Sequence, residues 1–423
     1  MRKVLLAFAL LTLCSGSFAQ EKTKVVPDGT EGEVLPVADS IGTKKKDRWR
    51  LFNGRFTTFK FGMGFLYEYA GYKQDEAAKE QMDSAGTPLD AAFKMRDFRL
   101  LASGQLKTKR TITWKVGLMY DAVGDEWLVR ESGVMIAVPE IWGHLFIGRT
   151  KEGFSMNKVM NGYAGWTMER QIALDVIPIL ADGIKWMGFL PKQRIFWNTG
   201  IYADWFSRGQ GFSTFEWQFA LRGGWLPVYE PEEKKILHIG ASYRYGVPLD
   251  GQINIRSRPE ANPAPFFIET KKFSTSHSNQ YGAELYYTNG PFMAGSEIYA
   301  HGFSSSTAGS PVFRGGDVAL TYVFTGESRP YSTVSGIYGF VPVKRSLFRG
   351  GPGAWEAVLR YSRLDLSDAA IDGGKFWRIT PMINWYMSKE LRLELGYGYG
   401  KLERFNLKGA TQFFQARIQF ALL

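Results

Sequence analysis

The chain has 423 residues and a formal net charge of +11, from 52 basic and 41 acidic side chains. Hydrophobic residues make up 45% and aromatics 15%, with 47 glycines, a mix that suits short strands and tight turns better than helices. No stretch reaches the ~18 consecutive apolar residues of a spanning helix, which excludes a helical membrane protein, whereas the basic balance leaves nucleic acid, an anionic surface and an anionic solute open.

Arg2 and Lys3 open the chain, Val4 to Cys14 are apolar, and Ser17-Phe18-Ala19 sets small residues where a signal peptidase acts. This predicts a signal peptide over residues 1–19, cleaved after Ala19 and too short to be a spanning helix. Cleavage removes two basic residues, so the mature charge is +11 − 2 = +9. It also removes Cys14, the single cysteine, leaving no disulfide and no cysteine-based metal site. Lipid attachment at Cys14 is the alternative, against which Leu13 is bulkier than such sites take. Residues 20–48 are polar, broken by Pro27, Gly29, Gly32, Pro36 and Gly42, and close on Lys44-Lys45-Lys46. They predict a periplasmic arm or linker before a barrel over 49–423.

From Arg48 onward, period-two alternation recurs. Ile195, Trp197, Thr199, Ile201, Ala203 and Trp205 face away from Arg194, Asn198, Tyr202 and Asp204. Phe215, Trp217, Phe219, Leu221 and Trp225 oppose Glu216, Gln218, Arg222 and Gly224, and Leu237, Ile239, Ala241, Tyr243 and Tyr245 oppose His238, Ser242 and Arg244. The pattern returns at Trp355 to Tyr361, at Trp377 to Trp385 and, most regularly, at Leu391 to Tyr399. Several of these apolar faces carry large aromatics near both ends and smaller aliphatics between, the two-girdle arrangement of a strand crossing a bilayer. Segments of about ten residues match a tilted spanning strand. The predicted fold is all-β, a transmembrane antiparallel β-barrel of about 16 strands, closed because open edges cannot be satisfied in lipid. Pro263 to Phe273 and Lys185 to Leu190 are ambiguous as strands, and the tail alternates up to Phe420, followed by Ala421-Leu422-Leu423.

One region breaks the rhythm. Residues 151–184 hold Asn161-Gly162, Gly165, Glu169-Arg170, Pro178 and Gly183 without sustained alternation. So long a connection is unusual unless functional. It predicts an inward-folded constriction loop, with an extracellular loop lying over the mouth as the alternative.

Inward positions are the polar side of each strand, because an arginine facing lipid costs ~2–4 kcal/mol near the midplane. This puts Arg99, Lys107, Lys115, Arg194, Arg222, Arg244, Arg360, Arg378, Arg392 and Arg417 in the lumen, with Arg170 and Lys158 on the loop. Arginine suits a phosphate-like anion because its planar fork donates two hydrogen bonds, and a series of weak sites permits conduction. Asp97, Asp204, Glu216, Glu297, Glu356 and Glu394 are predicted to face inward as well, so each lumen arginine either meets solute or braces the wall through a carboxylate. Lys151 and Lys185, which flank the loop, are expected to be surface charges. His144, His238, His277 and His301 lack metal-ligand spacing. His277, between Ser276 and Ser278, is the nearest echo of a hydrolase pair and is expected in a loop, so neither catalytic residue, metal nor cofactor is predicted. Gly350-Gly351-Pro352-Gly353 reads as a turn before a strand, with no phosphate cradle because no helix pattern follows. Export and aromatic girdles argue against nucleic acid as a partner.

Gly353-Ala354-Trp355-Glu356, Leu359-Arg360-Tyr361-Ser362, Leu364-Asp365-Leu366, Gly373-Gly374, Asn384-Trp385-Tyr386 and Leu391-Arg392-Leu393 closely resemble the phosphate-selective porins O and P in order and spacing. Phe324-Thr325-Gly326-Glu327-Ser328-Arg329 with Tyr331, and Arg96-Asp97-Phe98-Arg99-Leu100, extend the resemblance over about residues 55 to 420. The resemblance implies a sixteen-stranded outer-membrane barrel, usually a homotrimer in outer-membrane lipid, that passes small anions passively. It also matches Glu169-Arg170 to the pair in the family's constriction loop, whereas the family's lysine cluster has no residue-by-residue match here. The expected function is a porin for small anions, phosphate or polyphosphate above all. A weakly selective general porin, and a structural or adhesive barrel without conductance, are the alternatives.

Overall fold

The structure, a computed structural model, describes residues 50–121, 125–205 and 215–423. The expected signal peptide and arm fall outside the described residues.

Sixteen antiparallel strands form the wall. They are β1 (Thr58–Gln74), β2 (Ala92–Gln105), β3 (Ile112–Asp121) and an interrupted β4 (Glu126–Val129 and Ser132–Val138), followed by β5 (Gly143–Thr150), β6 (Ala181–Leu190), β7 (Ile195–Ala203) and β8 (Phe215–Glu230). The second half comprises β9 (Lys235–Pro248), β10 (His277–Asn289), β11 (Phe292–Ser304), β12 (Val312–Val323), β13 (Ala354–Asp368), β14 (Ile371–Tyr386), β15 (Leu391–Arg404) and β16 (Leu407–Leu422). Closure comes from β1 pairing with β16, from Met63 opposite Leu422 to Gln74 opposite Thr411, which leaves no edge strand in lipid. Lys185–Leu190 thus belongs to the wall, while Pro263–Phe273 does not. His277 opens β10 and is not a loop residue.

The alternation read from sequence is the wall's division between lumen and lipid. Ile201, Ile298 and Leu395 stand outward at 64%, 61% and 50% exposure, an apolar surface that only lipid accommodates at this extent. Aromatics close the band at both ends. Trp355 stacks on Trp385 at 4.9 Å at one rim, and Trp377 lies between Tyr361 and Tyr399, at 6.1 and 6.0 Å, toward the other. At the rim where β1 starts and β16 ends most connections are short, such as residues 191–194, 231–234 and 290–291, with 324–353 the long exception, whereas the opposite rim carries the long connections 151–180 and 249–276 beside the short 369–370 and 405–406; the balance makes the first rim the periplasmic one.

Two β-bulges correct the simple alternation. A register shift between Phe215 and Trp217 turns Phe215 into the lumen, 1% exposed, and Glu216 outward, the reverse of the expectation for both. A second shift pairs Leu66 with Asp97 but Tyr67 with Met95, so the extra residue, Arg96, joins Asp97 and Arg99 in aiming at the bore. Two expected lumen cations also move. Arg194 ends a periplasmic turn with φ 57° and donates to the Pro227 carbonyl at 3.1 Å, and Lys107 is exposed in the turn after β2. Both lie beyond the strand ends, where the wall no longer separates lumen from lipid.

Sequence reasoning anticipated one inward segment; among the described residues three enter the bore. Residues 151–180 and 249–276 descend from the outer rim, and residues 324–353 rise from the periplasmic rim. Ile172, Leu174, Ile253, Phe267 and Phe303 build one apolar core inside the barrel, and Met156, Val159, Trp166, Tyr331, Ile337 and Tyr338 build a second beneath it. A short helix, α1 (Glu76–Ser84), lies on the outer rim and was not read from sequence. Asp75 caps it by accepting from the Ala78 amide at 2.8 Å, and Gln81 donates to the Leu402, Arg404 and Leu407 carbonyls.

Candidate pore-lining site

The inward loop ends at Leu180, a few residues before the expected boundary at 184, because Ala181 already pairs with Thr150. Its turn-rich sequence exposes many backbone polar groups, and inside a barrel each needs a partner. The wall supplies them. Glu297 of β11 accepts from Ser155 Oγ at 2.5 Å, from the Asn157 amide and its Nδ2 at 2.9 Å each, from Tyr286 Oη at 2.6 Å and from Tyr299 Oη. Arg392 donates to the Gly165 carbonyl at 2.7 Å, Asn384 to Trp166 at 2.9 Å, Arg360 to Glu169 at 2.9 Å and Arg417 to Met168. Arg329, from the periplasmic segment, donates to the Ala164 carbonyl at 2.8 Å.

Most predicted lumen cations therefore brace structure. Arg222 makes a two-pronged pair with Glu284 at 2.7 and 2.8 Å, both fully buried. Arg244 meets Glu152 at 2.6 Å, Arg360 meets Glu260 at 2.5 Å, Arg392 meets Glu394 at 2.7 Å, and Arg417 meets Glu68 and Glu169. Arg378 has no carboxylate in ion-pair contact among the described residues, but it is buried on Phe413 and donates to the Pro259 carbonyl at 2.6 Å. Removing one member of such buried pairs strands a charge, so they are architectural first.

Lys158 joins this group, against the expectation that placed it on the pore. It is 1% exposed, bound to Glu152 at 3.1 Å, and burial pushes its ammonium down to about 8 despite that carboxylate. Lys158→Met is expected to change ion selectivity by less than about twofold in bilayer recordings, since the neighbouring Arg244 still neutralises Glu152. Lys151 and Lys185 are likewise no surface charges. Lys151 donates to the Val159 and Met160 carbonyls at 3.2 and 2.8 Å and meets Glu131 at 3.3 Å, and Lys185 donates to Thr150 Oγ1 at 3.0 Å.

On its other side the loop faces β1 and β2 across a narrow cleft with about 30 Å³ of water-accessible space, lined by Arg96, Asp97, Arg99, Asn157, Glu169, Arg170 and Arg417 among others. Glu169 is clamped by Arg96 at 3.0 Å and by Arg417; burial alone would raise its carboxyl, but these guanidinium groups outweigh it and hold it down at about 2. Because that value is depressed, the clamp is complete above the ordinary value of 4.5 and is lost only as pH falls toward 2. Arg170 differs from the bracing arginines. Its Nε and Nη2 donate to the loop's own Asn157 and Met160 carbonyls at 2.7 and 3.0 Å, and no carboxylate lies in ion-pair contact among the described residues. Burial, with Arg130 and Arg99 nearby, pushes its guanidinium down to about 10, still charged at neutral pH. Arg99, paired with Asp97 at 2.5 Å, lies over the Tyr163 ring at 4.6 Å. Lys115, on β3, sits 5.3 Å from the Phe146 ring with no carboxylate in ion-pair contact among the described residues. Sequence reasoning missed Arg96 and Arg130. Arg96 is hidden by the bulge, and Arg130 occupies the break in β4, where alternation carries no information.

The phosphate-selective porin O and P family model matches residues 69–422. An uncharacterised curated protein of Caulobacter vibrioides is 30% identical over 176 residues, 40% of this chain, and the chain spans 35% of that protein's length. Among solved structures, the anion-selective porin of Comamonas acidovorans superposes with a TM-score of 0.55 at 12% identity, covering 86% of this chain and 100% of that one. The outer-membrane protein OmpT of Vibrio cholerae superposes at 0.54 and 11% identity, covering 88% and 99%. At such identities the likeness shows the barrel, and the match over most of the sequence shows the lineage. The chain belongs to the phosphate-selective porin O and P family and is built as an outer-membrane porin channel.

Proposed function

We propose that this porin is a passive diffusion channel for small anions, with phosphate or polyphosphate as the preferred solute. The observation that carries this reading is Arg170, a cation facing the cleft, held by neutral carbonyls and flanked by Arg99, Arg96 and Arg130. A guanidinium bound only by carbonyls keeps its positive field for a passing anion, and a low-dielectric wall focuses that field. The family's name and the anion-selective Comamonas neighbour support the same direction. A second reading, a weakly selective general porin, is favoured by the carboxylates on Arg222, Arg244, Arg360, Arg392 and Arg417, which leave few inward cations uncompensated. The functional unit is a homotrimer in outer-membrane lipid, as in the trimer form of Vibrio cholerae OmpT, after loss of residues 1–19. The mass of the mature chain and of the native assembly tests both statements.

Planar-bilayer recording tests the function. A reversal potential favouring anions in a potassium chloride gradient, with chloride current blocked as phosphate is added, is the expected result. Stable current without preference or block would replace it by the general porin, and a folded barrel without current by a structural role.

A further inference from the structure

The outer surface of the wall carries a feature that the pore does not use. Along β11, β12 and β13 an outward groove with about 390 Å³ of water-accessible space is lined by Ile298, Val312, Arg314, Gly316, Val318, Tyr361 and Arg363, with Asp365 and Asp368 at its upper end. The strand register explains it. One row of outward residues runs Ser296, Val318, Tyr361, Ile379 and Tyr399; the next row toward the outer rim runs Ile298, Gly316, Arg363, Trp377 and Lys401. The row beyond places Arg314 beside Asp365 and Lys375. On β14 and β15 the outer girdle is filled by Trp377 and Tyr399, whereas on β12 it is interrupted by Gly316. The missing side chain opens the groove at the level where the apolar band ends.

The cations at its mouth face away from the lumen. Arg314 is exposed and makes no hydrogen bond or ion pair among the described residues, and Arg363 is 54% exposed with only a loose contact to Asp365 at 3.5 Å. Lys375 shares the same carboxylate at 3.2 Å. Exposed pairs of this kind contribute little and leave their cations open to a better anion. Outward arginines are tolerated near the interface, where their cost falls away, which sets these groups at the headgroup level of the outer leaflet.

We propose that this groove binds a phosphorylated glycolipid of the outer leaflet. A lipid phosphate docks on the forks of Arg314 and Arg363, and an acyl chain lies over Gly316 along Ile298, Val318 and Tyr361. Charge complementarity favours this occupant, because a cationic mouth above an apolar floor matches an anionic headgroup above its chain. The inference rests on the barrel's place in the outer membrane and is independent of what the pore conducts.

Native mass spectrometry of the purified, full-length assembly tests it with bisphosphorylated lipid A, its phosphate-free form and inorganic phosphate as probes. The expected result is retention of lipid A by each barrel, weakened about tenfold by the double variant Arg314→Gln, Arg363→Gln and by removal of the lipid's phosphates. Neither residue lines the lumen, so the variant's conductance and phosphate block stay as in the parent protein, which separates this test from that of the pore. Equal lipid binding by parent and variant overturns the proposal. Displacement by inorganic phosphate at equal concentration assigns the cations to a free ion, and lipid bound only after the assembly dissociates assigns the groove to a second copy; either result overturns it too.

Discussion

Arg170→Ala is expected to weaken phosphate block of the chloride current by about 10- to 100-fold, the loss of one charge-assisted contact of ~1.5–3 kcal/mol. The same change shifts the reversal potential toward zero. Arg170 is singled out because its partners are the Asn157 and Met160 carbonyls, so the guanidinium is positioned without being neutralised. Its neighbours cannot replace it fully, since Arg99 is tied to Asp97 and Arg96 to Glu169. Arg170→Lys keeps the charge but loses the planar fork, and an intermediate block is expected. Unchanged block in Arg170→Ala, with the barrel's heat stability intact, would remove this residue from the conduction path.

Glu297→Ala is expected to unseat the constriction loop. The carboxylate is fully buried and receives donors from Ser155, Asn157, Tyr286 and Tyr299. Alanine strands several of these donors at once, each costing ~1–3 kcal/mol when left unsatisfied in the interior. The nearby apolar contacts of Met156 and Val159 do not substitute for directional bonds, so the start of the loop is released toward the cleft. Larger and noisier single-channel currents, reduced selectivity and earlier loop cleavage by added protease are the observable consequences. Glu297→Gln retains acceptor capacity on one oxygen and gives a milder form of the same phenotype. Currents as quiet and selective as the parent's in Glu297→Ala would show that the other anchors, Arg360, Asn384, Arg392 and Arg417, hold the loop by themselves.

The barrel was legible in the sequence wherever a single strand crosses a bilayer, because the two faces of such a strand meet different solvents. Leu391 to Tyr399 and Trp377 to Trp385 alternate in the structure as they do in the sequence. Legibility failed where two consecutive residues share a face, as at the bulges beside Arg96 and Glu216, and beyond the strand ends, at Lys107 and Arg194. It failed again for the segments that fold inward, whose irregular backbone is satisfied by distant wall residues. Residues 324–353 look like a long periplasmic connection, yet Arg329 reaches Glu356 at 2.8 Å and Tyr331 reaches His238 at 2.7 Å inside the bore.

By itself, then, the sequence determined that this chain is a closed transmembrane β-barrel with an arginine-rich inner wall, since alternation, girdles and the cost of charge in lipid are local rules. Only the tertiary structure decided which inward arginines are paired with carboxylates and which, like Arg170, are held by carbonyls. That property depends on carboxylates far away in the chain, such as Glu284 for Arg222 and Glu68 for Arg417, and on the carbonyls of a folded loop. A periodic pattern records which solvent a side chain faces; it carries no record of which side chain across the bore stands opposite.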